Sequence, residues 1–138
     1  MISKKFDATL IRSNGQAMEH PLVITLSYDE EFDPFAVQMI VSYASTEGEQ
    51  DAVWWLDRGL MSLSIKTPGV VVGFGDFRLR LQPGMIKVCL KNDTGHADLR
   101  LPVEPVKEFL TETALALPLG SECVDEQIDD FLAEVFNS

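Results

Sequence analysis

The sequence predicts an α+β fold, in which an antiparallel, strand-rich core, either barrel-like or made of two sheets, carries two C-terminal helices. Two observations support this prediction. Apolar side chains alternate with period two over the first two-thirds of the chain, which is the pattern of half-buried strands. After Pro105 the apolar residues recur at helical spacing instead. Because 138 residues can bury one core and no linker interrupts them, we expect a single domain over residues 1–138.

Four strands and a short helix are predicted in the first half of the chain. The apolar stripes of these strands are Phe6, Ala8 and Leu10; Leu22, Ile24, Leu26 and Tyr28; Val37, Met39, Val41 and Tyr43; and the short aromatic segment 52–56. Asn14-Gly15 is a favourable turn between the first two strands. Residues 57–65 are predicted to be helical, because Leu60, Met61 and Ile65 have helical spacing.

A second group of strands is predicted after residue 69. Residues 70–74 are apolar, and three further strands alternate apolar with polar residues as an antiparallel meander with one dry and one wet face. The dry-face residues are Phe77, Leu79 and Leu81; Ile86, Val88 and Leu90; and Ala97, Leu99 and Leu101. This register predicts that four apolar residues on different strands are buried, namely Ile24, Met39, Val88 and Leu99.

Two helices are predicted at the C-terminal end. Pro105 suits the first turn of one helix, and Gly120 follows its end. Ser121 is a suitable N-cap for a final helix. The apolar stripe of that final helix is Val124, Ile128, Phe131, Leu132 and Val135.

The charge of the chain is strongly negative and unevenly distributed. With 22 acidic and 11 basic residues the formal net charge is −11. Nine acids and no Lys or Arg lie in residues 13–57, and eight acids and no Lys or Arg follow residue 107, whereas the segment between them is mildly basic. Acidic flanks repel phosphate and anionic membranes at a distance. No apolar run approaches the roughly 18–20 residues that cross a bilayer, so we expect a cytoplasmic protein without membrane insertion.

The sequence offers no arrangement typical of an active site. Neither His20 nor His96 has a zinc-ligand partner at suitable spacing, and no serine lies in a nucleophile elbow. Gly73-Phe74-Gly75 lacks the third glycine of a dinucleotide site, which favours a bulge or tight turn. Two cysteines are too few for a disulfide framework. We therefore predict no enzymatic activity, no catalytic residue, no cofactor and no metal.

One cluster of cations keeps single-stranded nucleic-acid binding as an alternative function. The wet face of the meander is predicted to present Arg78, Arg80, Lys87, Lys91 and Arg100. Sheets that bind single strands combine such charge with aromatic rings on which bases stack. Because this face has no Phe, Tyr or Trp, an ordinary charged sheet surface is the favoured interpretation.

The adjacent tryptophans Trp54 and Trp55 point to opposite faces of their strand. Trp54 is expected to enter the core, while Trp55 faces outward with Val53. We predict that Trp55 and Val53 contact a partner or another subunit, although a sheet packed on both faces explains the pair equally well.

Several short strings occur in a fixed order between about Pro21 and Phe136. They are Tyr28-Asp29; Asp33-Pro34-Phe35-Ala36-Val37; Trp54 with Arg58, Leu60 and Met61; Gly73-x-Gly75-Asp76; and Phe109-Leu110 with Thr113, Pro118, Gly120 and Glu122. With these strings the sequence resembles the SsgA-like proteins of sporulation and cell division, the SsgB-type branch above all. The chain departs from the family pattern at Trp55, where smaller residues are usual.

The resemblance implies a non-enzymatic protein with a whirly-like fold that forms a homotrimer. It implies action through protein–protein contacts at the cell septum, with the tubulin-like division protein FtsZ or another SsgA-like protein as partner. No nucleic acid is expected as a ligand.

Overall fold

Eight antiparallel strands form one continuous sheet in the computed structural model, which describes residues 1–73 and 75–121. The strands are β1 (Ile2–Ser13), β2 (Gln16–Tyr28), β3 (Ala36–Ser45), β4 (Gly48–Asp57), β5 (Val71–Val72), β6 (Phe77–Gln82), β7 (Met85–Asn92) and β8 (Gly95–Pro102). Their order across the sheet is β4-β3-β2-β1-β8-β7-β6-β5. The sheet is therefore two meanders of four strands joined in the middle by the pairing of β1 with β8.

Two helices pack on the inner face of this sheet. The first, α1 (Arg58–Lys66), follows β4 directly and begins one residue later than predicted, because the Asp57 side chain acts as its N-cap and accepts a hydrogen bond from the Leu60 backbone N–H at 2.8 Å. Helix α1 contacts β4 at one end of the sheet and β5 and β6 at the other, whereas α2 (Val103–Ala116) packs on β1 and β8. A curved sheet whose ends share a helix confirms the strand-rich, barrel-like α+β prediction.

The period-two register predicted from the sequence is confirmed. Ile24 and Met39 are 0% exposed, Val88 is 1% exposed and Leu99 is 2% exposed. Leu79 is likewise buried, while Arg78 and Arg80 on either side of it are exposed. A shift of one residue would have exchanged these two faces along the whole strand.

Two turns depend on backbone conformations that the sequence anticipates. Asn14 and Gly15 both have positive φ values, 49° and 86°, as a two-residue type I′ hairpin requires. Gly73 has φ +103°, and a Cβ there would lie 2.7 Å from the carbonyl oxygen of Phe77. Only glycine fits there without movement of the β6 backbone, while the predicted bulge or tight turn over 73–75 includes residue 74, which lies outside the described residues.

The predicted C-terminal elements are described only in part. Helix α2 begins at Val103, with Pro105 in its first turn, and buries Phe109 and Thr113. The predicted final helix after Ser121 lies outside the described residues. The single domain over 1–138 likewise stays a prediction.

Candidate interaction surface

A fully buried arginine links both helices to the sheet. Arg58, the first residue of α1, is 0% exposed, and its guanidinium carbon lies 4.8 Å from the centroid of the Tyr28 ring. Its Nη1 donates hydrogen bonds to the carbonyl oxygens of Thr113 at 3.1 Å and Leu117 at 2.7 Å. These carbonyls belong to the C-terminal end of α2, where the helix dipole favours a cation. Arg58 thereby fixes the end of α2 against the start of α1.

Hydrogen bonds from Arg58 and Tyr28 hold the loop between β2 and β3 in place. The Arg58 backbone N–H donates to the carbonyl oxygen of Phe35 at 2.8 Å, and the Tyr28 hydroxyl donates to that of Pro34 at 3.0 Å. Tyr28, Pro34, Arg58 and Thr113 are all residues on which the family resemblance rests. They meet in the interior, so this part of the signature maintains the fold and does not form an exposed site.

Sequence reasoning did not anticipate the burial of Arg58, although a signal was present. Arg58 lies three residues before Met61 and seven before Ile65, which is the spacing of one helical face. Met61 is 3% exposed, so an arginine on that face is directed into the core.

On the outer face, β4 presents the two residues predicted to contact a partner. Trp55 and Val53 are each 52% exposed, whereas Trp54 packs against the core from the opposite face of β4. Trp55 pairs with Gln38 and Val53 pairs with Ile40 in the ladder with β3. The alternation predicted for the two tryptophans is confirmed, while their contact with a partner stays a prediction.

A second exposed aromatic residue extends this surface. Phe32, in the loop between β2 and β3, is 77% exposed, and its ring centroid lies 6.4 Å from that of Trp55 at an interplanar angle of 37°. Because Phe32 lies in an acidic loop without periodicity, no pattern in the sequence predicts this contact. We call Phe32, Val53 and Trp55 the aromatic patch.

Carboxylates surround the aromatic patch. Four of them lie in the loop that carries Phe32, and three lie on β4, on the same side as Val53 and Trp55. They are Asp29, Glu30, Glu31 and Asp33, and Glu49, Asp51 and Asp57. We call these seven residues the acidic rim.

The five cations predicted on one face do lie together on the outer face of β6, β7 and β8. The ladder places Arg80 beside Lys87 and Lys87 beside Arg100. Sequence reasoning did not anticipate that Asp98, in the middle of this face, is only 5% exposed. Its carboxylate lies 3.8 Å from Lys87 Nζ, 3.8 Å from Arg12 Nε and 3.6 Å from His96 Nε2.

The basic face is therefore weaker as an anion site than its cation count indicates. Asp98 offsets the charge of Lys87, and Arg100 Nη2 lies 3.7 Å from Glu19 Oε1. In the part of the chain that the structure describes, the outward-facing residues of β6, β7 and β8 include no Phe, Tyr or Trp. Without aromatic stacking, contacts to a single strand would be limited to its phosphates.

We expect no sub-micromolar binding of single-stranded DNA at physiological salt, because the net charge is −11 and two of the five cations face carboxylates. A gel-shift titration across a salt series measures this. Tight binding with a steep salt dependence, lost in the double variant Arg78→Ala with Arg80→Ala, would contradict the expectation.

Cys89 lies on the same face, opposite Asp98 in the ladder. Burial raises the pKa of its thiol above the ordinary value of 9.0, and the hydrogen bond to Asp98 and the charge of Asp98 raise it further. Since the thiolate is the nucleophile, a raised pKa leaves less of it at any given pH. This cysteine is therefore poorly suited to nucleophilic chemistry.

In a Cys123→Ser background, the pH midpoint for iodoacetamide alkylation of Cys89 is expected to lie above 9.0 in the folded protein and to fall in Asp98→Asn. Alkylation at pH 8 should be several-fold slower than in the urea-unfolded chain. Equal pH profiles for the folded protein and the unfolded chain would contradict this.

Other candidate chemistry does not assemble in the described residues. No group of three or more His, Cys, Asp or Glu side chains in residues 1–73 and 75–121 could hold a metal ion. His20 and His96 both lie at the rim of an inner-face groove of about 390 Å³, whose apolar lining includes Trp54, Val41 and Leu99.

The described residues form a small strand-rich fold that exposes aromatic rings on a face rich in carboxylates. The family model described as Streptomyces sporulation and cell division protein, SsgA, matches residues 22–122, and the chain belongs to this family. The match ends short of the Phe136 limit expected from the resemblance.

Relatives from several actinobacteria agree with this assignment. A sporulation-specific cell division protein of Frankia casuarinae is 36% identical over 102 residues, which cover 71% of this chain and 65% of the relative, so the chain spans slightly less than two-thirds of that protein. SsgB of Thermobifida fusca is 28% identical over 120 residues, covering 83% of this chain and 80% of SsgB.

Solved structures show the same fold. The crystal structure of an SsgA-like sporulation-specific cell division protein from Thermobifida fusca matches with a TM-score of 0.74 and 27% identity, covering 96% of this chain and 93% of that one. A structure from work on SsgB mutations that correlate to longitudinal cell division during sporulation of Streptomyces coelicolor matches with a TM-score of 0.69 and 25% identity, covering 88% and 91%.

Proposed function

We propose that this protein is a non-enzymatic adaptor of sporulation-specific cell division, which positions or regulates the division machinery at the septum through protein–protein contacts. The observation that supports this proposal most directly is the aromatic patch. Trp55 and Phe32 leave 52% and 77% of their surface exposed in a member of a cell division family. Large aromatic side chains of this kind are enriched at the centres of protein interfaces.

The proposed partners are FtsZ and another SsgA-like protein, and the proposed assembly is a homotrimer. Both come from the family resemblance, and the open edges of an eight-stranded sheet are compatible with contacts between subunits. We propose a cytoplasmic location at the septum. Among the described residues, no helix is long and apolar enough to cross a membrane.

Co-sedimentation with FtsZ polymers tests the partner, and light scattering tests the assembly. The wild-type chain should co-sediment and should give a mass of three times the 15.4 kDa of one chain. The variant Trp55→Ser should lose co-sedimentation without losing the fold. If neither FtsZ nor a second SsgA-like protein is retained by the wild-type chain, the adaptor proposal is wrong.

Val71→Ser is the matched control for Val53→Ser. Val71 is 54% exposed and Val53 is 52% exposed, and both are on edge strands, but they lie at opposite ends of the sheet. A loss of partner binding in Val53→Ser and not in Val71→Ser would assign the effect to the aromatic patch. An equal loss in both would assign it to general surface hydrophobicity.

A further inference from the structure

We propose that the edge of β4, together with the aromatic patch, binds an extended segment of a partner protein in which Lys or Arg alternates with apolar residues. This inference rests on the proposed function, since it takes the aromatic patch as the partner site. It adds the chemistry and the backbone conformation of the segment that would be recognised.

Strand β4 lies at one edge of the sheet. In the described residues β4 pairs with β3 alone, in a register that runs without interruption from Ala36 and Asp57 to Ser45 and Gly48. Every second residue of an antiparallel edge strand directs its N–H and C=O away from the sheet. A row of such groups is a template on which another extended chain can add.

The β4 edge lacks most of the usual protections of an edge strand. Natural edges are protected by short length, charged residues (Lys above all), Pro or bulges. Strand β4 is 10 residues long, contains neither Lys nor Pro, and shows no register shift. Its charged residues are all carboxylates, which repel a second copy of the same edge and attract a basic segment. The opposite edge of the sheet, β5, is only two residues long.

The side chains along the β4 edge are acidic and apolar on the outer face and largely apolar on the inner face. In chain order the outer-face residues are Glu49, Asp51, Val53, Trp55 and Asp57. Lys or Arg residues of an added strand that face the same side would lie next to these, with their charges near the carboxylates and their aliphatic stems over Val53 and Trp55. The residues between them would face the inner side, next to Ala52, Trp54 and Leu56, so apolar residues fit there.

The surroundings strengthen the preference for cations. The acidic rim includes four carboxylates in the loop that carries Phe32, and residues 13–57 contain no Lys or Arg. Asp51 is oriented by Ser42, whose hydroxyl donates to its Oδ1 at 2.7 Å. The same carboxylates repel nucleic acid, so a basic polypeptide fits this edge and a phosphate backbone does not.

Fluorescence anisotropy with three labelled ten-residue peptides tests the inference. The first alternates Lys with Val, the second alternates Glu with Val, and the third has the composition of the first with its lysines and valines in two separate blocks. The alternating Lys peptide is expected to bind at least tenfold more tightly than the other two, and more weakly as salt rises.

Variants of the protein locate the site. Trp55→Ser, and the double variant Glu49→Lys with Asp51→Lys, should each weaken binding of the alternating Lys peptide at least fivefold. Val71→Ser and Arg78→Ala should leave it unchanged. Circular dichroism on each variant separates loss of the site from loss of the fold. Equal binding of all three peptides, or unchanged binding by the charge-reversal variant, would overturn the inference.

The outcome separates this inference from the proposed function. If FtsZ co-sediments and Trp55→Ser abolishes it, but no peptide binds, the adaptor stands and the basic extended segment is wrong. If the peptide binds as expected but FtsZ does not co-sediment, the site stands and the proposed partner is wrong. If no peptide binds and the charge-reversal variant loses only self-association, the edge is occupied by a second copy and the inference is overturned.

Discussion

Replacement of Arg58 by alanine is expected to lower the free energy of unfolding by about 3–5 kcal/mol. Arg58 is 0% exposed, and its removal takes the guanidinium donor from the carbonyl oxygen of Leu117 and opens a cavity beside the Tyr28 ring, while the Thr113 carbonyl oxygen keeps the backbone N–H of Leu117 as a donor. A buried acceptor that loses its donor costs about 1–3 kcal/mol, and the cavity adds to that. Urea unfolding followed by circular dichroism measures the change.

Two further variants serve as comparisons for the stability loss expected in Arg58→Ala. Arg58→Lys keeps the charge and a nitrogen donor but loses the planar guanidinium that lies over the Tyr28 ring, so it should recover only part of the loss. Arg78→Ala removes an exposed arginine from β6 and should change stability by less than about 0.5 kcal/mol. If Arg58→Ala unfolds at the same urea concentration as Arg78→Ala, the buried arginine does not hold the helices together.

Replacement of Trp54 by alanine is expected to cost about 3 kcal/mol, at the lower end of the range for buried aromatic residues. The ring packs against the core but also borders the inner-face groove of about 390 Å³, so part of its surface is already outside close packing. Thermal or urea unfolding measures the loss.

Trp55→Ala is the matched control for this prediction, because it removes the same side chain from the next residue of the same strand. Trp55 is 52% exposed, so its loss should cost less than about 1 kcal/mol of stability and act instead on partner binding. Should the two variants unfold alike, both rings belong to the core and the aromatic patch is not a free surface.

Most of the sheet could be predicted from the sequence because one of its faces is buried. Burial of one face imposes alternation on every strand, and alternation fixes which residues face the core. Leu79 between the exposed Arg78 and Arg80 is an example. The α1 helix was predictable for the equivalent reason, since Met61 and Ile65 recur at helical spacing.

The union of the strands into one sheet could not be predicted in the same way. A barrel-like core and a two-sheet core produce the same local alternation, and the difference lies in the pairing of β1 with β8, the first and last strands of the described residues. The sequence around Leu10 and around Leu99 contains no local pattern that identifies these two residues as partners in the sheet. Long-range pairing of this kind is decided by packing and not by propensity.

The candidate surface was predictable only where it lies on a strand. The outward orientation of Val53 and Trp55 follows from alternation along the strand. Phe32 lies in a loop, and its contact with Trp55 depends on the loop conformation, which alternation does not predict. The burial of Arg58 and Asp98 also depends on neighbours distant in sequence. Charged side chains are rarely buried, so their type alone indicates a surface position.

The central pairing of β1 with β8 has a consequence for the folding rate. Within each meander, consecutive strands are joined by short turns, so their contacts form at low entropic cost. Leu10 and Leu99, by contrast, meet only when nearly the whole intervening chain has been closed into a loop. We expect the pairing of β1 with β8 to be absent from the folding transition state. In stopped-flow measurements Leu99→Ala should therefore accelerate unfolding and leave the refolding rate almost unchanged.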